Sequence, residues 1–391
     1  MTNGLKKGMT LYHANLDATC VTRARILEIR GNDLFLQLEK PVVGKTELRV
    51  PKNQMGRHLF FTEEDVAATL ETLALRQEYR VYGNRKLEEV YQAFCRKVEV
   101  ISNKAALLAM LMTNYGFQGF LHYTDISNFE KIMKEGYLYS RIRAEQDGRL
   151  AIDGANGSVL RNTCKEYKKY VRFFYRTKTP TLYANEGIKK DNGYPHMPVP
   201  VLLLFDEHIL FEEKVTFLDG GGGSGLTKST KCAREAQEFD WDSIFSNSSL
   251  STKNHRNAEF HVYEKVGIDH LKKIIFRSEP EMQLARHLCG DNELYEVDSS
   301  KFCCLNNYLT RLEVRGHDGI YIVSGDFNAN PNGYSHELKI TYENGVKEVC
   351  LPLVAYIPAW GRYFFDATNK RPCTVEYAMN GHRCGVWEAE D

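Results

Sequence analysis

The chain has no surplus of either charge: its 391 residues carry 51 lysines and arginines against 51 aspartates and glutamates. Bulk attraction to a polyanion is therefore excluded, and contact with nucleic acid would need a local basic patch. The ten cysteines are scattered and form no CxxC pair. That argues against a disulfide framework and for reduced thiols in a cytosol. His382 and Cys384 stand close together, but two ligands do not make a tetrahedral site, so no metal is expected. The most apolar runs, "KAALLAMLM" and "VPVLLLF", are too short to cross a bilayer, so no membrane contact is expected. The opening "MTNGLKKGMT" has no apolar core behind its lysines, so no signal peptide is expected either. These absences predict a soluble, cytoplasmic protein. No internal repeat stands out.

What is present is ordinary globular composition, 43% hydrophobic and 26% charged, in a chain long enough for two or three domains. Residues 1–61 alternate as short strands, breaking at Gly31-Asn32-Asp33, with the rhythm of a small SH3-like β-barrel. Residues 62–114 read as a helical bridge, with Thr62 as N-cap before an acidic first turn. Within it "RKLEEVYQAFCRKV" and "NKAALLAMLMTNYG" read as two helices, the second capped by Asn103 and ended near Gly116. Residues 115–285 mix strands with helices. "SNFEKIMKEGYLYS" is a short amphipathic helix capped by Ser127 or Asp125 and stopped at Gly136. "GFLHYT", "KYVRFFYR" and "VPVLLLFD" are strands. Residues 286–391 return to alternation, with hairpins at Asn344-Gly345, expected as a type I′ turn, and at Asn380-Gly381. This last part reads as a binding or scaffolding β-domain.

"LDGGGGSGLTKSTKC" invites a phosphate-loop reading and fails it. The Walker pattern needs Lys directly after its last glycine, yet Gly225 is followed by Leu226, with Lys228-Ser229 too late. The stretch is expected to be a flexible surface loop.

"NHRNAEFHVYEKV" alternates as a strand, with Ala258, Phe260 and Val262 on one face and Glu259, His261 and Tyr263 on the other. Such a face can meet water, as one side of an antiparallel sheet often does, or it can line a cleft in which Glu259 does chemistry. "HYTDISNF" and "YVRFFYRTKTPTLY" are similarly double. A His beside Tyr and Thr can be structural, and Phe173, Phe174 and Tyr175 can be core. Lys165, Lys168, Lys169, Arg172, Arg176, Lys178, Lys189 and Lys190 can be a solvated face.

Taken together and in order, these segments resemble DarT, the NAD-dependent ADP-ribosyltransferases that modify bases in single-stranded DNA. His122-Tyr123-Thr124 followed by Asn128 and "KIMKEGYL" is similar to the family's first strand and helix. Val171 to Tyr175, followed by Lys178 to Tyr183, is similar to its middle strand. Ala258-Glu259-Phe260 is similar to its catalytic strand. The resemblance covers less than half of the chain. It implies an α+β architecture with a central ADP-ribosyltransferase fold, two splayed antiparallel sheets around an NAD cleft, flanked by the N-terminal β-barrel and the C-terminal β-domain.

The resemblance further implies that Glu259 stabilises positive charge developing on the ribose and helps remove a proton from the attacking base. His122, Tyr123, Thr124 and Asn128 would bind NAD, with an aromatic ring from Phe174 or Tyr175 on the nicotinamide. The family also uses an arginine between the first two motifs, for which Arg161 fits best by distance and Arg149 is the alternative. Lys165, Lys168, Lys169, Arg172 and Arg176 would track the phosphates of a nucleic acid. Arg172 departs from the family, which carries Pro there, and Thr181 stands in place of Met.

The expected activity is transfer of ADP-ribose from NAD to a base, thymine or guanine, in single-stranded DNA. The expected role is that of a toxin or phage-defence effector, with a macrodomain antitoxin as the partner the resemblance implies. The same chemistry on RNA or protein, or an inert nucleic-acid-binding adaptor, is the alternative.

Overall fold

The computed structural model describes residues 5–14, 21–42, 45–56, 58–62, 64–66, 68, 84–151, 165–190, 197–247, 253–317, 320–350, 360–366 and 372–389. It divides into two compact units, Met1–Glu99 and Val100–Asp391.

The first unit holds β1 (Thr10–Ala14), β2 (Val21–Arg30), β3 (Asp33–Val42), β4 (Lys45–Pro51) and β5 (Leu59–Phe60). They form one antiparallel sheet in the order β4-β3-β2-β1-β5. Its core is the alternate side chains Ala24 and Ile26 of β2 and Leu34, Leu36 and Leu38 of β3, with Leu11 and Leu59. Thr62 behaves as a cap: its Oγ1 accepts from the Asp65 amide at 3.1 Å, and Asp65 Oδ2 accepts from the Thr62 amide at 3.2 Å.

The two helices expected across the bridge are one, α1 (Asn84–Tyr115), 32 residues long. Nothing in the run breaks it, since it holds neither Gly nor Pro, and an interior Asn103 costs only a fraction of a kcal/mol. Leu107 and Leu111, four residues apart, bury one face of it.

The second unit is built on an eight-stranded sheet. Its elements in chain order are β6 (Phe120–Asp125), α2 (Ile126–Glu135), β7 (Tyr137–Tyr139), α3 (Arg141–Gln146), β8 (Tyr170–Phe174) and α4 (Pro180–Asn185). Then come β9 (Pro200–Phe205), β10 (Val215–Leu218), β11 (Ser229–Thr230), α5 (Ala233–Ala236), α6 (Trp241–Phe245), β12 (Glu259–Tyr263), β13 (Lys265–Gly267), β14 (Leu271–Phe276), α7 (Glu279–Cys289) and β15 (Tyr295–Val297). The sheet order is β11-β10-β12-β8-β6-β9-β14-β15. All its pairs are antiparallel except β14 with β15.

The join in the middle is thin. β12 and β8 pair along five positions and β6 and β9 along six, but β6 meets β8 at a single pair, Leu121 with Phe174. Strand pairing thus joins the two halves of the sheet at one residue pair. α2 begins directly after β6, where Asp125 accepts from the Ser127 amide at 2.9 Å, and it ends at Gly136 in the left-handed region, φ 77°. Asp125, rather than Ser127, is the cap.

Residues from 309 onward form two further sheets. One holds β16 (Leu309–His317), β17 (Ile320–Phe327) and β20 (Trp360–Asp366). The other holds β18 (His336–Tyr342), β19 (Lys347–Cys350), β21 (Pro372–Met379) and β22 (His382–Glu388), in the order β19-β18-β21-β22. Their inward residues, Leu338, Ile340, Val375 and Tyr377 among them, share one continuous core with Phe120, Phe173 and Phe260 of the central sheet. The boundary expected at 285 falls inside α7.

The Asn380-Gly381 turn has φ of 50° and 77°, the two positive values that type I′ needs. At Asn344-Gly345 only Gly345 is positive, at 77°, and Tyr342 N–H donates to Val346 at 3.0 Å. That loop is a residue longer than a type I′ turn, with glycine in the bulge position. No helix among the described residues is long and apolar enough to cross a membrane.

Candidate active site

β12 carries the expected alternation, but both of its faces are buried except at half-buried Tyr263. Ala258, Phe260 and Val262 enter the main core, while Glu259 is 5% and His261 0% exposed. A cavity of about 720 Å³ opens where the two halves of the sheet part, and Glu259, His122 and Arg172 line it together. Its volume lies within the range of small-molecule sites.

The Glu259 carboxylate is tightly held. Its Oε2 accepts from His261 Nε2 at 2.6 Å. Burial works to raise its pKa. The His261 hydrogen bond, the nearby Arg172 charge and the Gly222 amide outweigh that and hold it below the ordinary carboxylate value. Burial pushes the His261 pKa down, against the pull of Glu259. Both directions give the same state at neutral pH, an ionised Glu259 accepting from a neutral imidazole.

The glycine run, expected as a flexible surface loop, is packed against this carboxylate. Gly220 and Gly222 are buried. A Cβ on Gly222 would lie 3.1 Å from Glu259 Oε2, and one on Gly220 would lie 2.2 Å from Asn254 Nδ2. Asn254 Oδ1 ties the loop by accepting from the Gly221 amide at 3.3 Å and from Thr227 Oγ1 at 3.2 Å. The glycines are there because backbone must approach side chains closely.

On β6, His122 Nδ1 donates to the Arg172 carbonyl at 2.9 Å, so the imidazole bridges the two halves just past their junction. Burial lowers its pKa, so the ring is neutral and Nε2 is left as an acceptor. Arg172 faces the cavity from β8, directly opposite His261 in register, and its Nη2 is buried with no hydrogen-bond partner. An unsatisfied buried guanidinium donor fits an anionic oxygen.

Thr124, Asn128 and Phe174 also line the cavity, as does Tyr123. The Tyr123 ring packs with Phe174, Leu182 and Leu202, and its hydroxyl donates to the Arg176 carbonyl at 3.1 Å. Asn128 Oδ1 accepts from the Ala151 amide at 2.7 Å, which ties the chain after α3 to α2.

Tyr175 is a correction. Its ring lies in the core, edge-on to Trp241 at 4.9 Å and tilted against Phe120 at 5.9 Å, and it does not reach the cavity. The reason is the period of two. Phe174 faces the cavity, so Tyr175 faces away. Arg161 lies outside the described residues. Arg149 does line the cavity, stacked on Tyr139 at 4.2 Å and paired with Glu135 and Asp147.

The basic cluster divides. Lys165 and Lys169 are exposed and Lys168 half-buried, with Lys169 paired to Glu166 at 2.7 Å. Arg172 belongs to the cavity. Arg176 is turned the other way, donating to the carbonyls of Ile244 at 3.1 Å and Ser246 at 2.5 Å, and so holds the chain after α6. His261, Gly222 and Asn257 were not foreseen as site residues. Alternation places His261 beside Glu259, and that was its visible signal. Asn257 Oδ1 accepts from the Thr181 amide and hydroxyl, both at 3.0 Å, which joins α4 to the entry of β12. Among the described residues no group of three or more His, Cys, Asp or Glu could hold a metal ion.

Residues 121–303 match the family model described as ssDNA thymidine ADP-ribosyltransferase, DarT. Over these residues the chain is similar to DarT. That match takes in every described lining residue named above, from His122 to Glu259, and leaves 1–120 and 304–391 outside it.

Among solved structures, DarT of Thermus sp. 2.9 in complex with ADP-ribosylated ssDNA is 16% identical, with a TM-score of 0.40 over 47% of this chain and 95% of that one. The same protein in complex with NAD+ gives 16%, 0.39, 47% and 96%. Thermosipho africanus DarTG in complex with ADP-ribose gives 14% and 0.40, over 50% of this chain and 53% of that one. No curated protein matches. Outside the matched residues, the N-terminal sheet and the sheets after 309 are additional β-structure.

Proposed function

We propose that this protein transfers ADP-ribose from NAD to a base of single-stranded DNA, thymine in the first instance, and releases nicotinamide. The observation that carries the reading is Glu259, a buried carboxylate held ionised at the parting of the two half-sheets. The residues present fit NAD. Arg172 offers an unsatisfied donor for a phosphate oxygen, and His122 Nε2 offers an acceptor for a ribose hydroxyl.

In the reaction the bond from the ribose anomeric carbon to the nicotinamide nitrogen breaks, and its electron pair leaves with neutral nicotinamide. Positive charge develops on the ribose, and a fixed carboxylate in a desolvated site stabilises it. A ring nitrogen of the base forms the new bond, and its proton passes to Glu259. Base discrimination is assigned to the segment 218–254, which precedes β12 in the sequence. A mismatch there leaves buried polar groups unpaired. Lys165, Lys168 and Lys169 would add affinity without sequence information.

In this division of labour residues 115–285 carry the chemistry, the bridge 62–114 links them to 1–61, and the flanking parts 1–61 and 286–391 help to hold the strand. The matching cellular role is a cytoplasmic toxin or phage-defence effector restrained by a macrodomain antitoxin.

The test is radiolabelled NAD with separate pools of DNA, RNA and protein, for wild type and Glu259→Gln. The reading expects label on single-stranded DNA and a loss of at least a hundredfold in the variant, about 2.7 kcal/mol of transition-state stabilisation. Label on RNA or protein alone overturns the substrate, and no label at all leaves the inert adaptor.

A further inference from the structure

We propose that His261 is a positioning residue for the transfer reaction: its Nε2–H holds Oε2 of Glu259 and leaves Oε1 for the substrate. The inference rests on the proposed function above and names a part of that site which family resemblance does not supply. His261 is fully buried, and a hydrophobic residue would have sufficed there for packing alone.

The geometry is specific. His261 is 0% exposed and lies 2.6 Å from Oε2. Gly222 crowds that same oxygen, with its Cβ position 3.1 Å away, whereas Oε1 lies on the side of Gly221, which lines the cavity. One oxygen is therefore clamped and the other presented.

The donor must also be neutral to be useful. An imidazolium or a lysine in this place would cancel the charge that has to face the ribose, while a neutral N–H fixes the carboxylate and leaves its charge intact. The surroundings enforce neutrality. His261 Nδ1 is buried with no partner, so an imidazolium would bury an unsatisfied N–H. Arg172, opposite in register, adds positive charge to that side.

Among the described residues, His122, Arg149 and Lys253 line the same cavity as Glu259, and three tyrosines stand nearer the pair. Tyr167, from the turn before β8, stands edge-on to His261 at 5.3 Å, and Tyr170 of β8 lies at 6.1 Å. Tyr175, in the core below, acts on Glu259 electrostatically. The glycine loop contributes only the Gly222 amide.

Three variants test the idea, with kcat, KM for NAD, rate against pH, and calorimetric NAD binding as readouts. His261→Phe keeps a ring and removes the donor. His261→Gln keeps an N–H at similar reach, and His261→Asn has one that falls short. The expected result for Phe and Asn is a kcat lowered roughly ten- to a hundredfold, about 1.4–2.7 kcal/mol, with KM within about threefold. The acid limb of the rate profile should move to higher pH in both, because burial of Glu259 is then unopposed by the donor. Gln should recover most of the rate and return the limb.

A folded, NAD-binding Phe or Asn variant with wild-type kcat and an unmoved limb overturns the proposal. So does a Gln variant no better than Asn, which keeps the test decisive if Phe fails to fold. If wild type transfers nothing from NAD to single-stranded DNA, the function itself falls and takes this role with it. If wild type transfers and the variants do too, only the role of His261 falls.

Discussion

Gly222→Ala should slow the proposed transfer without destabilising the protein, and the structure gives the size. The new methyl would sit 3.1 Å from Glu259 Oε2, 3.4 Å from Tyr167 Cδ2 and 3.5 Å from His261 Cε1. Gly222 lies outside the left-handed region, so the effect of alanine is read from its contacts. The carboxylate must give way by a few tenths of an ångström, at the expense of its 2.6 Å bond from His261. A hydrogen bond to a charged group contributes about 1.5–3 kcal/mol to stability, so losing a third to a half of it costs about 1 kcal/mol, which the lower unfolded-state entropy of alanine offsets in a melt. Misaimed catalytic groups lose rate steeply with displacement, which puts the expected loss at about five- to twentyfold.

Two neighbours calibrate the result. Gly225→Ala meets nothing within 4 Å and should be silent. Gly220→Ala would place its methyl 2.2 Å from Asn254 Nδ2, so it should lower stability by about 1–3 kcal/mol as well as activity. Steady-state transfer to an oligonucleotide and a thermal melt decide the matter. Wild-type kcat in Gly222→Ala, or an equal loss in Gly225→Ala, would refute the claim that the loop is packed on the working carboxylate.

His122→Ala should weaken NAD about tenfold with little loss of Tm, and unchanged calorimetric affinity would leave His122 with only its bridge to the Arg172 carbonyl. Lys168→Ala with Lys169→Ala should weaken modification of all oligonucleotides alike and reduce the salt slope by about 1–2, whereas an altered base preference would show that these lysines read sequence. Stability should fall on acidification from pH 7 through the ordinary histidine range. His122, His261 and His336 are all held below their usual pKa by burial, so the unfolded chain binds more protons as the pH drops, at up to about 1.4 kcal/mol per unit for each. His336 reports this away from the cavity, since its Nε2 donates to the Pro331 carbonyl at 3.0 Å and its Nδ1 accepts from Tyr377 at 3.1 Å. His336→Asn should lower Tm at pH 7 and flatten the slope, and an unchanged slope measured by urea unfolding at several pH values would assign the proton uptake elsewhere.

The parts of the site that could be read from sequence are those encoded by local period and punctuation. Alternation put Glu259 and His261 on one face, and Asp125 and Gly136 bracket their helix as cap and stop. The glycine run was misread because its meaning is not local. Glycine marks either freedom or close approach, and only the partners across the gap, Asn254 and Glu259, decide which. Tyr175 was misplaced for a related reason. Three aromatics in a row cannot all face one cavity, and the strand's parity gives Phe174 to the site and Tyr175 to the core. The single helix Asn84–Tyr115 shows the opposite error, in which a plausible cap at Asn103 outweighed the lack of any residue that stops a helix.

Two polar residues on the paired strands β8 and β12, Arg172 and His261, answer each other. Arg172 stands where the resembled pattern carries Pro, and the register sets His261 directly opposite it. A proline at 172 could not supply charge. An arginine there supplies it beside Glu259, which favours the ionised carboxylate and disfavours an imidazolium at 261. A histidine at 261 opposite a proline would lack the Arg172 charge that opposes its protonation, and a protonated partner would weaken the negative field at the ribose. Arginine without the histidine would leave the carboxylate charged but free to turn. The pair therefore does together what neither residue does alone, holding one oxygen of Glu259 fixed and its charge unspent.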